Sequence, residues 1–408
     1  MPDTGTVTRH EPPFDGAPEL DVDPFDEPFL SDPYPFYEKL RAAGPVVWIP
    51  RYGCWALTRY EVIRGVLNDW KTFSSAAGAG LANFNNEKPF RPKSLLLEAD
   101  PPAHSRARAV LAKAISPRVM ERLEPVFEAE AARIIDALVA KGTCDGAAEL
   151  AEIFPLKVFP DAVGLGPEGR ENLMGYGNMV FNLFGPRNKI FQESAKRAGE
   201  LSAWVAESCT RAALRPGGFG EIVYQAADDG AVTEEEAGLL VRSLLSAGID
   251  TTVGGIANAL LCFARFPEQW DILHANPMLA GNAFEETLRY EAPVLNIFRT
   301  TARDTEVAGT PIKDNTKLLA LIGAGNRDPE IWENADSFDI TRQTVGHLAW
   351  GSGIHRCVGM SVAKTEGETV LRVLAQKVKR IELTGESVRR PNNTLRLLET
   401  LPIKFTAA

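Results

Sequence analysis

Cys357 closes a glycine-rich run, Ala349-Trp350-Gly351-Ser352-Gly353-Ile354-His355-Arg356-Cys357-Val358-Gly359, and a helical pattern follows through Met360, Val362, Ala363, Glu366, Val370 and Leu371. Glycines ahead of a helix let the backbone take φ > 0 and come close to a flat partner. A cysteine near a helix N-terminus feels the partial positive charge that favours thiolate over thiol. Such a thiolate is a ligand for a soft or borderline metal. No second cysteine is nearby, which argues against a Cys-rich zinc or iron–sulfur site. One protein thiolate, with the other ligands coming from elsewhere, suits haem iron.

A second group lies in the longest helical pattern, Thr233 to Phe266. Thr233 and Glu236 form a capping box at its start, and Pro267 stops it. The pattern is apolar nearly all round, as in a helix through the core. Its middle is small and polar: Ser243, Ser246, Ala247, Gly248, Asp250, Thr251 and Thr252. Such groups are costly to bury without partners, so this face is expected to line a cavity. Further on, Glu286 and Arg289 are spaced to share one helix face.

Together these runs resemble the cytochrome P-450 superfamily, the haem-thiolate monooxygenases. The family's haem loop, Phe-Gly-x-Gly-x-His/Arg-x-Cys-x-Gly, is matched at Gly351, Gly353, His355, Cys357 and Gly359. The departure is Trp350 in place of Phe, which brings an indole N–H to the sulfur side of the haem. Ala247-Gly248-Ile249-Asp250-Thr251-Thr252 matches the oxygen-activation motif. The resemblance implies that Thr251 hydrogen-bonds the oxygen being reduced and that Asp250 relays protons. Gly248 would let the groove open. Glu286-Thr287-Leu288-Arg289 matches Glu-x-x-Arg, with Arg342 completing a buried structural network. His104, Arg108, Arg299 and His355 match the family's haem-propionate contacts. The implied fold is mainly α with small β-sheets and a long central helix over the haem. The likeness spans roughly residues 30–405.

The chain around these motifs has 408 residues, 45% of them hydrophobic, enough for a large core. Residues 1–30, acidic and proline-rich, read as a mobile or loosely docked tail, and residues 31–408 as a single domain. Residues 45–58 read as a β-hairpin, 59–69 as a helix, 73–97 as a long irregular stretch, and 189–214 as helical. The net charge of -10 argues against a nucleic-acid partner. Five scattered cysteines fit a reducing cytoplasm. There is no basic leader before an apolar run and no long uninterrupted apolar stretch, so no membrane partner is expected.

No flavin or nicotinamide fingerprint is present, so electrons must come from outside. The resemblance implies an iron–sulfur ferredoxin with its NAD(P)H reductase. Arg106, Lys113, Arg118, Arg356 and Lys364 could form a basic docking patch. Phe73-Ser74-Ser75, Lys88 to Ser94, Met179 to Pro186 and Arg242 to Ala247 are similar to the bacterial para-substituted benzoate monooxygenases. Carried over, Arg91, Ser94, Ser243 and Ser246 would hold a carboxylate. Leu97, Phe181, Phe184, Ala247, Val294 and Ile297 would line the pocket. The expected reaction is hydroxylation or O-demethylation of an aromatic carboxylate with O2. The alternatives are a hydroxylase of a terpenoid, fatty acid or polyketide, and a haem sensor or electron carrier. A carrier needs no proton relay, so Asp250 and Thr251 argue against it. The intact acid–alcohol pair also favours O2 over peroxide as oxidant.

Overall fold

The helices around the interior are α1 (Ala103–Ala114), α2 (Pro117–Lys141), α3 (Asn172–Asn182), α4 (Ala198–Ser208), α5 (Glu234–Ala247), α6 (Asp250–Arg265), α7 (Ala280–Tyr290) and α8 (Met360–Lys377). The structure, a computed structural model, describes residues 9–408. The long apolar pattern therefore makes two helices rather than one, interrupted at Gly248 and Ile249. The capping box forms: Glu236 N–H donates to Thr233 Oγ1 at 3.1 Å, and Thr233 N–H to Glu236 Oε2 at 2.9 Å. At the break, Thr251 Oγ1 donates to the Ala247 carbonyl at 2.7 Å, a side-chain bond that competes with regular helix. Residues 234–265 are long and apolar enough to cross a membrane, but 78% of their most apolar window is buried, so this is a core element.

A five-stranded sheet flanks the helices, formed by β1 (Val46–Ile49), β2 (Cys54–Leu57), β3 (Phe73–Ser74), β4 (Asn296–Thr301) and β5 (Lys317–Leu321). Its order is β1-β2-β5-β4-β3, with β2 and β5 parallel and the other pairs antiparallel. The hairpin expected over residues 45–58 is β1–β2, paired from Val46–Leu57 to Ile49–Cys54. The helical run expected over residues 189–214 is instead three pieces, Lys189–Ala195, α4 and a 3-10 turn at Arg211–Ala213.

The expected loose tail is corrected where it is described; residues 1–8 lie outside the described residues. His10 N–H bonds the Pro50 carbonyl at 2.8 Å, and Leu20 N–H bonds Trp48 at 3.1 Å. Phe25 and Phe29 are buried against Val47, Ile49 and Phe298. Acidic composition misled because two phenylalanines supply the apolar area that docks the segment.

α7 is tied to the irregular segment after residue 333 by charge. Arg289 donates Nε and Nη2 to Glu286 at 2.7 and 2.8 Å, with neither side chain exposed. Its remaining donors take the carbonyls of Asn326, Ala335 and Ser337. Arg342 Nε adds a bond to Glu286 Oε1 at 3.3 Å. Removing one partner of such a pair leaves a buried charge unmatched. Arg289→Ala is expected to cost about 3–5 kcal/mol in urea unfolding; a loss below about 1 kcal/mol would contradict the pinning role.

Candidate functional site

The break between α5 and α6 opens onto a cavity of about 1510 Å³. Cys357, Trp350, Gly351, His355 and Gly359 line one side of it, and Ala247, Gly248 and Thr251 another. Cys357 is exposed and lines this space. The loop that presents it is held by Cys357 N–H donating to the Trp350 carbonyl at 2.8 Å. Gly353 has φ +68°, and a Cβ there would fall 2.6 Å from the Leu67 carbonyl oxygen, so only glycine fits. Burial pushes the Cys357 thiol up, while the Gly359 N–H and the charges of Arg108 and Arg356 pull it down. Among the described residues no group of three or more His, Cys, Asp or Glu could hold a bare metal ion.

The four residues matched to propionate contacts gather beside the loop. His104 and His355 stand ring to ring at 4.4 Å. Both ring nitrogens of His104 are buried without a hydrogen-bond partner, and His355 Nε2, also buried, faces Asp100 Oδ1 at 3.8 Å, beyond hydrogen-bond length. Burial, with His355 and Arg108 adding to it, lowers His104 to about 4, so the imidazole is neutral. Arg108 lines the cavity and donates to the Arg356 carbonyl. Arg299 is buried behind His355, off the cavity wall, and donates to the Phe298 carbonyl at 2.8 Å. Buried polar nitrogens without partners are rare and call for a ligand. Two imidazoles, the Arg108 guanidinium and a single thiol on one cavity, with Arg299 buried behind them, fit a haem with two propionates.

Thr251 and Asp250 separate. Thr251 is on the cavity wall, with its hydroxyl proton on Ala247, so its lone pairs face inward as acceptors. Asp250 lies behind it, 1% exposed, with both carboxylate oxygens unpartnered. Burial raises its pKa well above the usual carboxylate range; the charge of Arg390 opposes this and that of Glu152 adds to it. Asp250 rests against α3 at Gly177, where a Cβ would fall 2.0 Å from Oδ2.

The residues matched to substrate contacts all face the cavity, but with altered partners. Leu97, Phe181, Phe184, Val294 and Ile297 line it, together with Ala247. Arg91 also lines it, yet it is held in a two-point pair with Glu98 at 2.7 and 2.8 Å. The Glu98 side chain is fully buried, and such a charge takes the nearest cation. Arg91 is thus not a free anchor; only its buried Nε lacks a partner. Ser94 Oγ accepts from Leu96 and Leu97 N–H. Ser243 and Ser246 donate within α5, to the carbonyls of Leu239 and Ser243.

Arg242 lines the cavity and makes no ion pair or hydrogen bond among the described residues, a cation that the motif reading passed over. Its charge and that of Arg91 both act on the Tyr176 phenol, which lies on the same wall. The available signal was a charge inside a core helix, which needs a partner or a cavity. The basic patch is thinner than expected. Arg106 pairs with Glu236, Lys113 approaches Asp229 and Lys364 pairs with Glu285, leaving Arg118 and Arg356 without acid partners among the described residues. The Trp350 indole N–H, expected toward the sulfur, donates to Glu285 at 2.7 Å.

A family model described as Cytochrome P450 matches residues 269–407. The chain is 54% identical over 394 residues to "Cytochrome p450 CYP199A2" of Rhodopseudomonas palustris, covering 96% of each. It is 31% identical to "Biotin biosynthesis cytochrome P450" of Bacillus subtilis, over 92% of this chain and 97% of that one. Among solved structures, P450BioI in complex with hexadec-9Z-enoic acid ligated Acyl Carrier Protein superposes with a TM-score of 0.83 at 30% identity, covering 93% of this chain and 100% of that one. Cytochrome P450 CREJ in complex with (4-ethylphenyl) dihydrogen phosphate gives 0.83 at 27% identity, covering 94% and 99%.

Two buried acids give a pH dependence with a definite sign. Asp250 and Glu366 both lack partners, and burial raises both well above the usual carboxylate range. Below about pH 4 each is protonated in folded and unfolded chains alike. As pH rises, the unfolded chain ionises first, so the folded state loses stability until the folded group ionises too. Asp250→Asn and Glu366→Gln are therefore expected to match the parent near pH 4 and to gain on it toward neutrality, by up to about 1.4 kcal/mol per pH unit. Urea unfolding across that range measures it; a pH-independent difference would mean that these acids are solvated in the fold.

Proposed function

The chain belongs to the cytochrome P450 family, and from that premise we propose that this haem-thiolate monooxygenase acts on a small aromatic carboxylate, with Cys357 as the thiolate. Haem held by a cysteine thiolate activates dioxygen, so that one atom enters a C–H bond of the substrate and the other leaves as water. His104, Arg108, Arg299 and His355 would hold the propionates, and Ala247 and Gly248 would face the ring. Asp250, kept protonated by its burial, is a stored proton next to Thr251 in the chain. Thr251 accepts hydrogen bonds into the cavity and orders the group that receives that proton.

The observation that carries the substrate class is Arg242, an unpaired cation on a wall otherwise rich in Leu97, Phe181, Phe184, Val294 and Ile297. An apolar pocket with a few convergent polar groups is what such ligands need. Arg242 lies five residues before Ala247 on α5, roughly 7 Å along the axis. That spacing suits a benzene ring with its carboxylate on Arg242 and its para substituent toward Cys357. Tyr176, Ser94 and the free Nε of Arg91 are further donors on the same cavity, and Ser243 and Ser246 would join them on rotating off their own helix. A similar protein, P450 CREJ, was solved in complex with (4-ethylphenyl) dihydrogen phosphate, a para-substituted ring with an acidic group, which supports a ligand of this class. Electrons reach the family from a redox partner. An acidic iron–sulfur ferredoxin with its NAD(P)H reductase is the proposed donor, docking at Arg118 and Arg356 beside the thiolate loop. All five cysteines are unpaired, which favours a cytoplasmic setting.

Titration of the haem-loaded protein with para-methoxybenzoate is expected to shift the Soret band, and turnover to release formaldehyde. Arg242→Ala should weaken the acid by roughly 1.5–3 kcal/mol, the size of a lost charged hydrogen bond, while the methyl ester, weaker from the start, changes little. Equal binding of acid and ester by the parent would exclude the aromatic-acid reading and leave the monooxygenase intact.

Thr251→Ala should bind substrate like the parent but consume reducing equivalents and release peroxide in place of product. Full coupling of electrons to product in that variant would remove Thr251 from proton delivery.

A further inference from the structure

Glu285 and Glu286 are consecutive on α7 and serve different neighbours. Glu286 takes Arg289 and Arg342. Glu285 takes three donors from three places in the chain. Trp350 Nε1 donates to Oε2 at 2.7 Å, His347 Nε2 stands at 2.7 Å from the same oxygen, and Lys364 Nζ is 3.1 Å from Oε1. The tautomer of His347 follows from its other nitrogen. Nδ1 accepts the Ala349 N–H at 3.2 Å, so the proton is on Nε2 and points at Glu285. His347 thus donates to Glu285, and Lys364, 44% exposed, stands against the other carboxylate oxygen. Burial alone would raise the Glu285 carboxyl, but these donors hold it at about 2.

The indole is close kin to the thiolate in space. Trp350 and Cys357 line the same cavity, and Cys357 N–H bonds the Trp350 carbonyl at 2.8 Å. An indole N–H left free beside a thiolate would donate to it. A hydrogen bond to a ligating sulfur withdraws electron density from the metal and raises its potential. We propose that Glu285 is a positioning residue that captures the Trp350 indole N–H and so keeps the Cys357 sulfur free of that donor. This rests on Cys357 being the ligand. The chain thereby carries a tryptophan at a position next to the thiolate without its electronic consequence, and the setting of the potential passes to a carboxylate on another helix.

Three variants test it: Trp350→Phe, Glu285→Ala and the two combined. The readouts are the midpoint potential of the haem-loaded protein and the absorption band of its reduced carbon monoxide form. The parent band should lie at the red-shifted position of thiolate-ligated haem; a globin-like band there would sink the Cys357 reading itself, a separate failure. Trp350→Phe should leave potential and band unchanged, since its N–H was never on sulfur. Glu285→Ala should raise the potential and move the band to the blue, because the freed indole turns to the sulfur. The double variant should return to the parent values, since it has no N–H to donate. A shift in Trp350→Phe alone, no shift in Glu285→Ala, or a double variant as shifted as Glu285→Ala would each overturn the proposal. The last of these would show the Glu285 charge acting directly. If Glu285→Ala does not retain haem, Trp350→Phe alone decides: an unchanged potential upholds the capture and a lowered one overturns it.

Discussion

Two charges without access to water, Glu286 and Arg289, constrain more of this molecule than any apolar contact. A buried ion pair is tolerated only when every remaining donor and acceptor finds a partner. Arg289 satisfies that demand by reaching the carbonyls of Asn326, Ala335 and Ser337, segments far from α7 in sequence. Asn326 passes the constraint on, because its side-chain oxygen accepts the Leu348 N–H at 2.6 Å. Leu348 begins the turn that ends at Trp350, and the Trp350 carbonyl holds Cys357 N–H. A series of hydrogen bonds thus links a desolvated guanidinium to the backbone of Cys357. The pair adds little net stability, since desolvation offsets its attraction, but it fixes where the loop can sit.

The second constraint is the broken helix. Regular helix through Gly248 and Ile249 would spread the small residues of this stretch along a packed face. The break instead turns Ala247, Gly248 and Thr251 toward the cavity and leaves Asp250 in the packing behind it. Phe159 fills the space where a Gly248 side chain would be, at 2.3 Å from an ideal Cβ. Gly177 does the same for Asp250 on the other side. Two glycines, one at the helix break and one on α3, therefore admit an aromatic ring and an acid that larger residues would displace. Burial favours the neutral form of that acid, with the charge of Arg390 working against it.

What could be read from the sequence was chemistry concentrated in short contiguous runs. The loop around Cys357, the run from Ala247 to Thr252 and the spacing of Glu286 to Arg289 each declare themselves within a dozen residues, because one turn or one helix face must present them. The fold class followed from helical periodicity and from the resemblance these runs carried. Pairings across irregular backbone were not legible. Glu98 meets Arg91 through a loop without periodicity, and Glu285 meets Trp350 across 65 residues. The docked segment from Arg9 to Ser31 was hidden by its acidic composition, although Phe25 and Phe29 outweigh it. The helix break was signalled by Gly248 but not located, since an isolated glycine within a helix is ordinarily tolerated.

The ion pair between Arg91 and Glu98 also bears on how an anion could be received. A guanidinium already bound at two points by a carboxylate offers a second carboxylate little net charge, and Glu98 would repel the newcomer. Burial raises the Glu98 carboxyl in principle, yet Arg91 with the N–H groups of Ser94 and Ala79 holds it below the usual range, so it stays ionised. Arg91 is packed over Phe184 at 5.0 Å, so its role is to seal the cavity wall as well as to offer one N–H. Arg242 has no such partner, and in a cavity whose wall is mostly apolar an unmatched cation is itself unfavourable until an anion arrives. Ser243 and Ser246 give their hydroxyl protons to carbonyls of their own helix, so each would have to rotate off that bond before donating to an anion, and the positive charge on this wall comes from Arg242.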